Sequence, residues 1–172
     1  PDGVLNVVPR PGPGCGSALV EQPLARKISF TGSTQTGIGV MKAAADSLKK
    51  VSLELGGKSA NIVFDDVADL DVCVEKSLWS VYGNAGQDCC ARSRAIVHHK
   101  IYDRFVAKFV ARAKRIVLGD PLKKGTEMGP LISAQQRDKV ADYVRLGEEE
   151  GAERLCGGRA PKTLALAKGF YL

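Results

Sequence analysis

Lys27-Ile28-Ser29-Phe30-Thr31-Gly32-Ser33-Thr34-Gln35-Thr36-Gly37 carries a short strand straight into a turn bounded by glycines. The next residues read as a helix, with Ile38, Met41, Ala45 and Leu48 at steps of three and four on one face. Lys49 and Lys50 stand at its expected end, where cations suit the negative pole of the helix dipole. Residues 51–55 read as the following strand. Upstream, residues 4–8 read as a short buried strand, 9–16 as a turn rich in proline and glycine, and 17–22 as a short helix. Strand and helix therefore alternate over residues 1–55, the pattern of a parallel α/β layer.

Past Gly56-Gly57 the chain opens a second unit. Residues 60–64 read as a strand, and Asp65, Asp66 and Asp69 offer N-caps for a helix running to about Tyr82. Leu70, Cys73, Val74, Leu78, Val81 and Tyr82 recur there at helical spacing, which makes Cys73 core filler. A longer helix is expected over 102–118, closed by Gly119 and Pro121, with Phe105, Val106 and Phe109 on its apolar face. Its stripe of Arg104, Lys108, Arg112 and Arg115 reads as a solvated surface. Ser133-Ala134-Gln135-Gln136 is a capping box for a last helix that stops at Gly151, and 152–156 reads as a strand.

The bulk composition sets limits. With 44% hydrophobic and 26% charged residues, the chain belongs with ordinary globular proteins, and no apolar run approaches a membrane span. Five cysteines give an odd count without a C-x-x-C pair, so neither a zinc site nor a disulfide framework is expected, and a reducing cytoplasm fits best. The net charge of +6 is spread along the chain without a basic tail, which argues against a nucleic-acid partner. The first residue is Pro1, inside one strand-like segment, and the last residues, Gly169 to Leu172, resemble the start of another. The expectation is a piece of a longer polypeptide.

Four places could carry chemistry. A strand–turn–helix junction such as 32–37 gathers backbone N–H groups around phosphate. Two common phosphate loops fail here: Ile38 and Gly39 replace the Lys and Ser/Thr of a Walker loop, and Lys42 replaces the last glycine of a dinucleotide fingerprint. Glu54 is the odd member of an apolar strand. Such a carboxylate either pairs with a cation such as Lys58 or loses hydration and drifts toward neutrality, as suits a general base. Tyr82-Gly83-Asn84-Ala85-Gly86-Gln87-Asp88-Cys89-Cys90-Ala91-Arg92-Ser93 puts two thiols between a helix and a strand. Arg92 and Arg94 are near enough in sequence to favour a thiolate, and Asp88 opposes one unless it points away. These residues do not by themselves choose between Cys89 and Cys90. His98-His99 reads as surface histidine rather than metal ligand, and no metal site is expected.

Together, these segments resemble the aldehyde dehydrogenase superfamily. Leu53-Glu54-Leu55-Gly56-Gly57-Lys58-Ser59-Ala60 resembles the family's glutamate signature. Tyr82 to Cys89 resembles its cysteine signature, in which the nucleophile stands two places after the glutamine. Phe30 to Gly37 resembles its cofactor turn. The resemblance implies that Cys89 is the nucleophile and Glu54 the general base for thioester hydrolysis. It also implies that Gly32, Ser33, Gly37 and the Leu55 backbone border NAD or NADP, and that Gln87 and Lys58 support the site.

The fold so implied is α/β: the end of a Rossmann-like cofactor-binding domain (1–54), then the start of an α/β catalytic domain (55–172), incomplete at both ends. The expected activity is oxidation of a small-molecule aldehyde to an acid through a thiohemiacetal and a thioester. The full-length protein is expected to form a homo-dimer or homo-tetramer. Two other readings remain: an acylating member that passes the thioester to coenzyme A, against which Glu54 argues, and a non-catalytic relic, against which both Cys89 and Glu54 argue.

Overall fold

The computed structural model describes residues 1–10, 13–161, 163 and 166–172. The chain divides into two compact units, Pro1–Gly56 and Gly57–Leu172.

The first unit contains α1 (Gly14–Glu21), β1 (Lys27–Gly32), α2 (Thr34–Ala45) and β2 (Lys50–Leu55). β1 and β2 pair in parallel, from Lys27 opposite Lys50 to Gly32 opposite Leu55, and α2 makes the crossover. Along β2, Val51, Leu53 and Leu55 are half-buried while Ser52 and Glu54 are exposed, the period-two alternation of a sheet covered on one face. The covering face of α2 is Gly37, Val40 and Ala44. It is not the expected row: Ile38 and Met41 are about half exposed, and Leu48 lies beyond the helix with φ 50°. Three-step spacing marked two possible stripes, and closeness to the sheet selected the one that opens on glycine.

Two further expectations change in this unit. α2 stops at Ala45, so Lys49 and Lys50 do not cap it. Instead, Lys49 Nζ donates to the carbonyls of Gln22 and, at 2.8 Å, Ala25, tying down the turn that follows α1. Residues 4–8 are not a buried strand; Leu5 is 84% exposed, and β1 pairs only with β2 among the described residues. An apolar run without a neighbouring ladder gains nothing from extension. Part of the turn expected over 9–16, at 11 and 12, lies outside the described residues.

The second unit contains β3 (Ala60–Val63), α3 (Leu70–Tyr82), β4 (Arg94–Val97), α4 (Tyr102–Ala113) and α5 (Ala134–Glu149). β3 and β4 pair in parallel, Ala60 opposite Arg94 and Val63 opposite Val97. Asp69 caps α3, its Oδ1 accepting from the N–H groups of Asp71 and Val72 at 2.8 and 3.1 Å. The core is Val63, Val74, Ile101 and Phe105, with Cys73 packed against it as expected. Ser77, buried on the same helix, receives a hydrogen bond from Asn61 Nδ2 at 2.8 Å, so the polar atom is satisfied. Ser133 caps α5 by accepting from Gln136 N.

α4 is shorter than its apolar periodicity. Glu127 reaches back to accept from Val117 N at 2.9 Å, which draws the chain out of the helix. Arg112 is no solvated cation: its guanidinium bonds Glu75 at 2.9 Å and Glu127 at 2.6 Å, and lies 5.4 Å from the centre of the Trp79 ring. The strand expected over 152–156 is absent; Arg154 there folds back to Glu148 at 2.6 Å. Among the described residues no helix is long and apolar enough to cross a membrane.

Candidate active site

In the second unit the site is a loop between two anchors. Beyond Tyr82 the backbone reverses through Asn84, Ala85 and Gly86, all left-handed, with φ of 50°, 55° and 74°. An alanine in that region costs about 1–2 kcal/mol, so other bonds must hold the turn. Gln87 supplies several of them. Its backbone N–H and Nε2 both donate to Asn84 O, at 3.1 and 3.2 Å. Its carbonyl accepts from Asn84 Nδ2 at 3.1 Å, and its Oε1 accepts from Ile132 N at 2.9 Å. The second anchor is Ala91, which is buried, with the Arg92 N–H donating to Ser80 O at 2.9 Å. Residues 87–90 span the two, and both Cys89 and Cys90 are exposed.

Asp88 separates the two thiols. Its Oδ1 accepts from the Cys90 N–H at 3.2 Å and from Cys90 Sγ at 3.1 Å. The hydrogen bond to Asp88, and then the negative charge itself, push the Cys90 thiol above its ordinary pKa. The same hydrogen bond holds Asp88 below the usual carboxylate range. Asp88 thus disfavours the Cys90 thiolate, the nucleophilic form. The reservation about Asp88 therefore falls chiefly on Cys90.

Other residues of this unit take places that the sequence left open. Arg94 does not face the thiols; its Nε donates to Lys58 O at 2.8 Å, pinning the segment after Gly57. Lys58 Nζ turns back to Gly57 O. A Cβ at Gly57 would come 3.7 Å from Cys89 O, an ordinary contact, so that glycine passes close to the cysteine loop without being demanded by it. His98, half-buried, and His99, exposed, lie tilted with ring centres 4.4 Å apart, and His98 Nδ1 is 3.9 Å from Asp65. A cavity of about 580 Å³ lies beneath the loop, lined by Tyr82, Ala85, Leu131, Cys156 and Tyr171. Burial raises the Tyr82 phenol.

The first unit holds the remaining candidates. Ser33 caps α2, its Oγ accepting from Thr36 N at 3.1 Å, while the N–H groups of Thr34 and Gln35 have no intrahelical acceptor. Gly37 is buried, and a Cβ there would come within 2.8 Å of Leu55 Cδ2. Register puts Gly32 opposite Leu55 and Thr31 opposite Glu54, so the glutamate strand ends beside the glycine turn. Glu54 is exposed, so of the two readings left open by the sequence it is not withdrawn from water, and Lys58 Nζ turns to Gly57 O and not to it. The alternation of β2 turns it away from the face that α2 covers. A groove of about 750 Å³ runs between α1, β1 and α2, lined by Gly16, Val20, Ile28, Phe30, Thr36 and Val40.

Sequence reasoning missed the Gln87–Ile132 link and the capture of Cys90 by Asp88. The first joins residues 45 apart and left no local signal. The second was available in principle, since a carboxylate two places before a thiol can reach it.

Residues 1–172 match the Aldehyde dehydrogenase family. The betaine aldehyde dehydrogenase of Bacillus subtilis (strain 168) is 48% identical over 171 residues, 99% of this chain and 35% of that protein. That of Brucella ovis is 46% identical over 172 residues, 100% of this chain and 35% of its own length. Among solved structures, PnpE from Pseudomonas sp. WBC-3 has a TM-score of 0.88 at 49% identity, over 91% of this chain and 32% of its own. PnpE has also been solved in complex with nicotinamide adenine dinucleotide. Betaine aldehyde dehydrogenase from Staphylococcus aureus, solved with NAD+, has a TM-score of 0.87 at 39% identity, over 91% of this chain and 31% of its own. The chain spans about a third of the length of the relatives it matches.

Proposed function

Because the chain belongs to the aldehyde dehydrogenase family, we propose that the protein carrying it oxidises an aldehyde to a carboxylic acid. Residues 1–54 complete its cofactor-binding domain and 55–172 begin its catalytic domain. The observation that supports the reading is the hydrogen bond from Cys90 Sγ to Asp88 Oδ1, which occupies one of the two thiols exposed on the anchored loop and leaves Cys89 as the candidate nucleophile. Cys89 as thiolate attacks the aldehyde carbon and forms a thiohemiacetal. The Cys89 backbone N–H donates to the oxyanion. Loss of hydride from that carbon leaves a thioester. Glu54 takes a proton from water, and the resulting hydroxide cleaves the thioester, releasing the acid and the free thiol. A general base at Glu54 favours hydrolysis over transfer to coenzyme A.

NAD or NADP supplies the hydride acceptor. The residues of the first unit fit such a group: a groove with apolar walls reaches Thr36, whose own N–H is capped by Ser33, beside the first N–H groups of α2 at Thr34 and Gln35. Gly32 and Ser33 line the turn, and the Leu55 backbone ends the strand beside it. Gly37 acts by letting α2 close onto Leu55, which sets where the helix begins. The NAD complexes of the relatives favour NAD. The substrate class is a small-molecule aldehyde.

The test is substitution in the full-length protein. Cys89→Ser is expected to lose aldehyde-dependent NADH formation by on the order of 10⁴-fold or more, while Cys90→Ser keeps it. The reverse pattern would overturn the assignment.

A further inference from the structure

Arg94 opens β4, and both its side chain and its backbone reach back to the segment before β3. Its Nε donates to Lys58 O at 2.8 Å, and its backbone N–H donates to Ser59 O at 3.3 Å. The segment so held begins at Gly57, where an added Cβ would stand 3.7 Å from Cys89 O. On the opposite side of that same peptide group, the Cys90 N–H donates to Asp88 Oδ1 at 3.2 Å. The peptide between the two cysteines is therefore held at its N–H by Asp88 and backed at its carbonyl by the Gly57 segment. Turnover as proposed gives Arg94 no part.

We propose that Arg94 is a positioning residue for Cys89, acting through its hydrogen bond to Lys58 O, which holds residues 57–59 against the back of the cysteine loop. Gly57, Lys58 and Ser59 are all exposed, so burial does not keep them in place. The Lys58 side chain does not help either, since its Nζ turns back to Gly57 O at 2.9 Å. The bonds from Arg94 are what tie this stretch to the start of β4.

A peptide group is rigid and planar, so its orientation sets ψ at Cys89 and, with it, the direction in which the sulfur leaves the loop. A nucleophile has to meet the aldehyde carbon in near-attack geometry, where a misplacement of about 1 Å costs roughly 10²-fold in rate. Arg94 therefore reaches the chemistry through backbone and not through its charge. Nε, the atom that donates to Lys58 O, is the part of the side chain that this role requires.

Placement of the loop stands on these contacts; its effect on turnover rests on the role proposed for Cys89, and the experiment reads the two separately. Two variants of similar shape are made in the full-length protein. Arg94→Gln keeps an N–H donor on the atom after Cδ, where Arg carries Nε, and loses the charge; Arg94→Met loses both. Arg94→Met is expected to raise amide exchange across 57–59 and 88–90 about tenfold. It is also expected to slow the aldehyde-dependent burst of NADH about tenfold, with burst amplitude and the KM for NAD kept within about twofold. Arg94→Gln is expected to stay within about twofold of the unsubstituted protein in exchange and in burst rate. A burst that loses amplitude at an unchanged rate would show that Arg94 only supports folding, and would overturn the proposal. Equal losses in both variants would overturn it too, by tracing the effect to the charge. Unchanged exchange in Arg94→Met would do the same. Raised exchange with an undisturbed burst would leave the placement standing and overturn the catalytic role of Cys89 instead.

Discussion

Gln87 Oε1 accepts a hydrogen bond from the backbone N–H of Ile132 at 2.9 Å, joining the cysteine loop to a segment 45 residues further on. The same side chain donates from Nε2 to Asn84 O. One amide therefore fixes the loop both to its own left-handed turn and to the body of the unit.

Gln87→Leu keeps the volume and removes both bonds. Each is worth about 0.5–1.5 kcal/mol net, enough to raise the open population of the loop roughly tenfold. Amide exchange at 87–90 is expected to rise by that order, and alkylation of Cys89 and Cys90 to become more nearly equal as Asp88 loses its fixed position. Unchanged exchange would mean that Asn84 and Ala91 hold the loop unaided.

If Glu54 activates water, Glu54→Gln spares hydride loss and stops hydrolysis. A rapid burst of NADH is expected to survive in the full-length protein, with steady turnover reduced about 10²–10⁴-fold. A burst that vanishes together with turnover would place Glu54 before the thioester, as the base for Cys89.

The order of elements was legible where local chemistry decides it. The strand entering Gly32, the Asp69 and Ser133 caps and the helix over 70–82 stand where their spacing put them. Failures came where a distant partner decides. The inward stripe of α2 depended on Gly37 meeting Leu55, and the end of α4 depended on Glu127 reaching Val117. Glu54 was marked by its apolar neighbours, but an apolar strand with one covered face leaves alternate residues in water. At the candidate site the motif resemblance named Cys89, whereas the physical difference between the two thiols needed the coordinates of Asp88.

Gly37 and Gly39 share one helix and predict opposite outcomes. A side chain at 37 meets Leu55 Cδ2 at 2.8 Å and Leu53 Cδ1 at 3.6 Å; at 39 a Cβ meets nothing within 4 Å. Gly37→Val is expected to destabilise by about 1–3 kcal/mol through overpacking. Gly39→Ala removes a flexible residue from an exposed helix interior and is expected to stabilise by about 0.5–1 kcal/mol. Denaturant midpoints read both. Equal shifts in one direction would mean that α2 does not pack on β2 as described.

The bracket around Arg112 predicts a pH dependence with a definite sign. Glu75 is held below the usual carboxylate range by the Trp79 indole and then by Arg112; Glu127 is held there by the Val117 N–H and then by Arg112. Carboxylates with lowered folded pKa values contribute stability that is complete above their unfolded pKa, about 4.3 for Glu. That contribution is lost as pH falls through the folded values. Arg112→Met removes the shared cation but leaves the Trp79 and Val117 bonds, so it takes away only part of it. The thermal midpoint of Arg112→Met is expected to lie below that of the unsubstituted protein by a constant margin from about pH 7 to pH 5. The margin should then narrow below about pH 4, where protonated glutamates no longer attract the guanidinium. A margin unchanged at pH 3 would show that Arg112 stabilises through its contact with Trp79, and not through its charge.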